Sequence, residues 1–253
     1  MMRIHRACVV VIILALLAIV PATSHAATLE FADAYGFLHI GGSLDTIFDR
    51  DSVEYFSTLD ASNHGSFGWS FTNIGETSWS GVSFFGFLDA DIDRDQNTAM
   101  NEYGAIRGLM LPPSAPEGAM AATSCEIDEP GYLFGDIIDN LFMGMLDGTN
   151  GVGIGSPDDV SLALGFYLGA VAPGETATVM LFTSQENIGG LWQYDPDSDF
   201  GFYFNGYAML TGSPFEPPVD PPGPAPIPEP SSLILLGSGI GLAALVAKRR
   251  QKK

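Results

Sequence analysis

Between Glu30 and Glu229 the chain contains no lysine, and its only basic residues there are Arg50, Arg94 and Arg107. The remaining basic residues sit at the two ends: Arg3 and Arg6, then Lys248, Arg249, Arg250, Lys252 and Lys253. All 30 acids lie in the middle, which carries a net charge of −27 in a chain whose overall charge is −20. A nucleic-acid binder needs a basic footprint, and this chain has none. Without lysine the middle can hold neither a P-loop nor a Schiff-base nucleophile. Cysteine is nearly as scarce. Cys8 lies in the first ten residues, which leaves Cys125 alone and no intramolecular disulfide in residues 27–213. Cys125 reads as a small buried apolar residue. His39 and His64 are too few and too far apart to suggest zinc. No G-x-S-x-G elbow and no H-E-x-x-H occur, and Gly151-Val152-Gly153-Ile154-Gly155 lacks the spaced third glycine of a dinucleotide loop. No enzymatic activity is expected, although nothing local selects or excludes a carboxylate pair for glycoside hydrolysis.

What is present at the ends is targeting information. Arg3, His5 and Arg6 precede an unbroken apolar run from Val9 to Val20; Pro21 ends it, and Ser24-His25-Ala26 offers small residues for cleavage. Residues 1–26 therefore read as a secretory signal peptide. At the other end, 9 of the 17 residues from Pro214 to Pro230 are proline, which favours an extended polyproline linker. Residues 231–247 carry no charge and are just long enough to cross a thin hydrocarbon core as a helix. The basic cluster at 248–253 would then stay in the cytoplasm, with the folded part outside the inner membrane.

Pro228-Glu229-Pro230-Ser231-Ser232, followed by a glycine-containing apolar helix and a terminal basic cluster, resembles the PEP-CTERM protein-sorting domain. The resemblance covers about residues 226–253. It implies export, sorting by an exosortase that reads Pro228, Glu229 and Pro230, and removal of a transient anchor formed by 231–247. The same tail has been labelled an ice-binding-protein C-terminal domain, which says nothing about ice. A permanent anchor on a proline stalk is the alternative. The resemblance implies that the protein ends at the cell surface or in an exopolysaccharide matrix.

The passenger, residues 27–213, shows strand signals. Phe67, Trp69 and Phe71 alternate with small and polar residues; Val82 to Phe87, Ser161 to Val171 and Thr176 to Phe182 follow between turn residues. Phe200, Phe202 and Phe204 alternate ahead of Asn205-Gly206, and Tyr207 to Leu210 completes an expected final hairpin. Ile137, Ile138, Leu141, Phe142 and Met145 recur at helical spacing. The pattern predicts a mainly β fold, an antiparallel sandwich with one packed helix closing one end. Phe71-Thr72-Asn73-Ile74-Gly75 and Ala172-Pro173-Gly174-Glu175 are similar to turns of bacterial Ig-like domains, so an Ig-like sandwich is expected.

Two acidic runs are candidate cation sites. Asp89, Asp91, Asp93 and Asp95, with Asn97 or Glu102 completing the shell, would repel one another unless a hard cation such as Ca²⁺ relieved them. Asp195, Asp197 and Asp199 repeat the spacing. Neither run is an EF-hand, because glycine and glutamate are missing from the required positions. Three functions follow: a structural or adhesive component of the surface or matrix; a carbohydrate- or calcium-binding module using Trp69, Trp79 or Trp192 as a stacking platform; and a secreted hydrolase.

Overall fold

The computed structural model describes residues 27–49, 55–96, 98–131 and 134–212. The expected signal peptide, linker, transmembrane helix and basic tail lie outside these residues, as does Asn97. Among the described residues the protein is mainly β, with two antiparallel sheets and one α-helix, and no helix is long and apolar enough to cross a membrane.

The first sheet is built from β1 (Leu29–Ile40), β2 (Ser43–Asp49), β5 (Trp79–Ile92), β8 (Ser124–Asp128) and β9 (Ser161–Val171), in the order β2-β1-β5-β9-β8. The second holds β3 (Tyr55–Ser57), β4 (Gly65–Thr72), β10 (Thr176–Ser184), β12 (Phe200–Thr211), β11 (Gly190–Asp195) and β6 (Tyr103–Gly108) in that order, with β7 (Met120–Ala121) added on β12. An immunoglobulin domain has about seven to nine strands; the extra strands here come from the long stretch between Asp89 and Val160.

The alternation read from the sequence sets the core. Phe67 and Trp69 of β4, Val179 and Leu181 of β10, and Phe202 and Phe204 of β12 meet Phe84, Leu88, Leu164 and Phe166 of the first sheet in one buried cluster. The Phe67 ring lies 5.5–6.4 Å from Phe31, Trp69 and Phe204. Strand β5 is buried on both faces. Its even-numbered residues from Val82 to Ile92 enter this core, while Phe85 and Phe87 point the other way and join Phe37 and Ala163 beneath the helix. Burial on both sides explains why Phe84-Phe85-Gly86-Phe87-Leu88 reads as a continuous apolar run instead of an alternation.

The helix, α1 (Ile137–Met143), lies on the outer face of the first sheet and does not close an end of the sandwich. Ile137 and Leu141 supply its buried contacts, whereas Phe142 and Met145 stay exposed. The expected helical run stops early because Gly144 adopts a left-handed conformation (φ 71°) and donates to the Leu141 carbonyl, while the Met145 N–H reaches back to Asn140.

Asn205-Gly206 is not a turn. Both residues sit inside the continuous strand β12. Asn205 is fully buried and its amide donates to the carbonyls of Met110 and Ile188. A Cβ on Gly206 would come within 2.6 Å of the Met180 carbonyl. The local turn signal is overridden by long-range backbone groups that need partners. The last hairpin instead joins β11 to β12 through the second acidic run.

The two segments that resemble Ig-like turns lie against each other. The Asn73 N–H donates to the Glu175 carbonyl at 3.0 Å, and its own carbonyl accepts from Gly174 at 2.7 Å. The Asn73 side chain, 0% exposed, donates to Thr77 and Val171 and accepts from Gly75. Truncation would orphan these buried groups. Asn73→Ala is therefore expected to lower stability by about 2–3 kcal/mol in chemical denaturation, whereas Ile74→Ala, 91% exposed, should change it by less than about 0.5 kcal/mol.

Candidate functional site

Two outer faces carry the chemistry: an aromatic one on the second sheet and an acidic one on the first. On the second sheet, β11 pairs with β6 and β12 so that Tyr194 stands opposite Tyr103 and Gly201, and Trp192 opposite Ala105 and Tyr203. Leu191, Gln193 and Asp195 of β11 are turned inward and buried, so strand alternation sends Trp192 and Tyr194 outward. Trp192 stacks on Tyr194 at 5.1 Å and 29°, Tyr103 meets both rings at 5.4–5.9 Å, and the Arg107 guanidinium lies 4.5 Å over the Trp192 ring. Small partners make room for this layer. A Cβ on Gly201 would meet Trp192 Nε1 at 3.0 Å and Tyr194 Cδ2 at 3.1 Å. The Tyr194 hydroxyl donates to Asp199 Oδ1 at 2.5 Å, and that bond pushes its pKa up to about 12. All three rings are half-buried, with Arg107 and Asp199 exposed at their margin.

Of the other tryptophans, Trp69 is wholly in the core and Trp79 packs against its edge. Trp192 alone is left as a platform. Its i, i+2 partner Tyr194 was visible in the sequence. Tyr103 and Arg107 were not, because only the β6–β11 register brings them alongside.

The acidic face is the far end of the surface that α1 covers. Asp89 and Asp91 end β5 on the same side as Phe85 and Phe87, and both are 5% exposed. Asp33 stands directly opposite Asp89 on β1. Burial first, then Asp159, Asp91 and Asp33, push the Asp89 carboxyl up to about 8. The rest of the first run goes elsewhere. Asp93 adopts φ 54° and accepts from the Thr28 N–H at 2.6 Å and its hydroxyl at 3.2 Å. Asp95 is exposed. Glu102 is turned toward the space between the sheets, where Ile92 N–H (2.9 Å) and the Gln193 amide donate to it. In the second run, Asp195 accepts from the Asp197 N–H at 2.8 Å and Asp199 has φ 52°; these acids shape a turn.

Sequence spacing gave no hint of a third group. Glu126 of β8, Asp136 before α1 and Asp147 after it bring carboxylate oxygens within 4.8 Å of one another. Among the described residues this is the acidic trio with that convergence. Its buried member is already answered within the fold: Asn140 donates to both Glu126 oxygens at 3.0 and 3.1 Å, and Asp147 N–H adds a bond at 3.3 Å. Cys125 is buried, and burial together with Glu126 and Asp147 raises its thiol pKa, which suits packing and not nucleophilic attack. His39 is buried with Nε2 against the Leu141 carbonyl at 2.8 Å, and burial lowers its pKa.

Residues 226–251 match the family model for the PEP-CTERM protein-sorting motif. The chain carries a PEP-CTERM sorting motif. Pro228, Glu229 and Pro230 fall within the match, which marks an exported protein with an exosortase as its processing partner and a C-terminal membrane anchor before processing. The match lies outside the sandwich and does not describe it. No curated protein and no solved structure matches the chain.

Burial raises Glu102 from 4.5 to about 8 and Glu126 from 4.5 to about 7. A carboxyl with a raised folded pKa holds a proton in the native state that the unfolded chain has already lost. Stability therefore falls as pH rises from about 4.5 to about 8. In EDTA, denaturation midpoints should decline across that window. Glu102→Gln/Glu126→Gln, which fixes the neutral form at both positions, should flatten the decline; an unchanged slope would assign it to other groups.

Proposed function

We propose that the sandwich is a non-enzymatic adhesive component of the cell surface or exopolysaccharide matrix, and that it holds polysaccharide on the Tyr103–Trp192–Tyr194 face. The observation that carries this reading is a half-buried layer of aromatic rings on an open sheet face of an exported, exosortase-sorted protein. Sugar rings present apolar C–H faces, and flat aromatic side chains cover them at low cost in side-chain entropy. Arg107 and Asp199 border the layer with a donor and an acceptor for hydroxyl groups. Three rings along two paired strands suit a chain of sugars better than a single one. With an excess of carboxylates around it, this face favours neutral polysaccharide over strongly anionic polymer.

The Ig-like kinship of the sandwich belongs to the same reading and is supported by the contact between Asn73 and the Pro173-Gly174-Glu175 turn. An immunoglobulin-type scaffold leaves its sheet faces and loops free for binding. Maturation, on this account, removes residues 1–26 and everything after about Pro230. The mature protein then leaves the inner membrane for the surface.

The test uses the mature protein recovered from its native host. Its intact mass should correspond to a chain beginning at Ala27 and ending near Pro230, and in affinity electrophoresis the host exopolysaccharide should retard it. Trp192→Ala and Tyr194→Ala should each weaken that retardation about tenfold or more, equivalent to about 1.4 kcal/mol. Trp79→Phe, away from the platform, should not. Equal retardation of all variants would remove the platform from the account, and recovery of chains still ending at Lys253 would remove the processing step.

A further inference from the structure

At the end of α1 the outer face of the first sheet holds a pocket of ≈ 210 Å³, and none of its lining residues is charged, in a chain with 30 acids. Ser83 of β5 and Tyr167 of β9 stand opposite each other in its lining, and His39 of β1 continues that row behind Ser83. In the next row Phe85 faces Gly165, and Gly165 faces Ser124 of β8. Glycine keeps the pocket open: a Cβ on Gly165 would collide with Ser124 Oγ and come within 2.8 Å of the Phe85 ring. Tyr167 stands at the rim, 59% exposed. Behind the lining lies a polar atom that the fold does not answer. His39 is 2% exposed, and its Nε2–H donates to the Leu141 carbonyl at 2.8 Å. A ring kept neutral by burial then carries its lone pair on Nδ1, and no described group donates to that atom. Nδ1 faces Gly144, one of the lining residues: a Cβ there would stand 2.7 Å from it. A buried acceptor without a donor costs about 1–3 kcal/mol, so a hydroxyl brought from outside the described residues is favoured here.

We propose that this pocket is a second sugar site, which takes the terminal ring of a neutral polysaccharide. The chemistry of the lining selects the ligand. Ser83, Ser124 and Tyr167 carry hydroxyls that donate and accept, while His39 Nδ1 only accepts, so the ligand brings hydroxyl donors of its own. Phe85 and the Tyr167 ring supply apolar surface for the C–H face of a sugar. A charged ligand finds no counter-charge in the lining, and the excess of carboxylates over the domain turns anions away. The volume lies below the ~300–1,000 Å³ of pockets for drug-sized molecules, which fits one ring and not a stretch of chain. The pocket and the Trp192 layer occupy the outer faces of opposite sheets, so one molecule can hold two polysaccharide chains. Linking two sites in this way strengthens attachment without any new contact. That bridging role rests on the polysaccharide reading of the Trp192 face; the pocket itself does not.

The experiment titrates the isotopically labelled mature protein with glucose, galactose, mannose and glucuronate, and follows the His39 Nδ1 and Trp192 indole resonances by NMR. At least one neutral hexose should move the His39 resonance to saturation, with a Kd of about 1 mM or tighter, and glucuronate should not. Tyr167→Ala, at an exposed position, should weaken that binding about tenfold, equivalent to about 1.4 kcal/mol. Ser83→Leu, which fills the pocket, should abolish it. The His39 shift should persist in Trp192→Ala, because the two sites are separate. Added to host exopolysaccharide, wild type should cross-link it into larger particles in light scattering, whereas Tyr167→Ala and Trp192→Ala should each fail to do so. The proposal is overturned if no neutral hexose moves His39, if Tyr167→Ala leaves the affinity unchanged, or if the His39 shift is lost in Trp192→Ala. Cross-linking that survives in Trp192→Ala while the His39 shift is intact would count against the Trp192 face and not against the pocket.

Discussion

Strand β5 is the element on which the other packing depends. One face carries Phe84, Leu88, Ala90 and Ile92 into the sandwich core, and the other carries Phe85 and Phe87 under α1. A strand buried on both faces admits no register slip, since a shift of one residue would exchange the two apolar sets. Its neighbours are positioned by it: Phe87 faces Tyr35 on β1 and Ala163 on β9. Gly86 fits where it does because a Cβ would meet Leu181 at 2.6 Å. With the first sheet fixed, the second closes over it through Phe67, Trp69, Phe202 and Phe204, and no disulfide is needed to hold the two together.

The same strand sets the electrostatic problem. Its last residues continue the pleat, so Asp89 and Asp91 are carried onto a buried face by the geometry that buries Phe85 and Phe87. With Arg50, Arg94 and Arg107 the only basic residues between Glu30 and Glu229, most buried acids have no counter-ion to meet. The fold answers each differently. Asp93 takes a backbone N–H, Glu126 takes Asn140, and Glu102 takes Gln193 and Ile92. Asp89, among Asp33, Asp91 and Asp159, is pushed by burial and by these like charges up to about 8.

Local signals in the sequence carried a good part of this. Ser161–Val171 is a strand with the bounds its residues suggested, because alternation and flanking turn residues are short-range. The sorting motif was equally legible, as it is read in order along the chain. What failed were inferences that needed partners far away. Asn205-Gly206 carries a strong turn signal, yet the carbonyls of Met110 and Ile188 claim Asn205 for a strand interior. Asp89 to Asp95 read as one candidate cation site, but Asp89 and Asp91 lie on a strand while Asp93 turns the chain toward Thr28. Tyr103 and Arg107 join Trp192 only through the pairing of β6 with β11, which no spacing encodes.

The central claim is that an exported, exosortase-sorted sandwich presents one aromatic sheet face to polysaccharide. The chain has 3 tryptophans, and their environments differ: Trp69 is in the core, Trp79 at its edge and Trp192 on the outer layer. The most direct measurement follows their indole N–H resonances by NMR while fragments of the host exopolysaccharide are added to the mature protein. The account predicts that the Trp192 resonance shifts with saturation and that the Trp69 resonance stays in place. Binding that leaves Trp192 unmoved would contradict it.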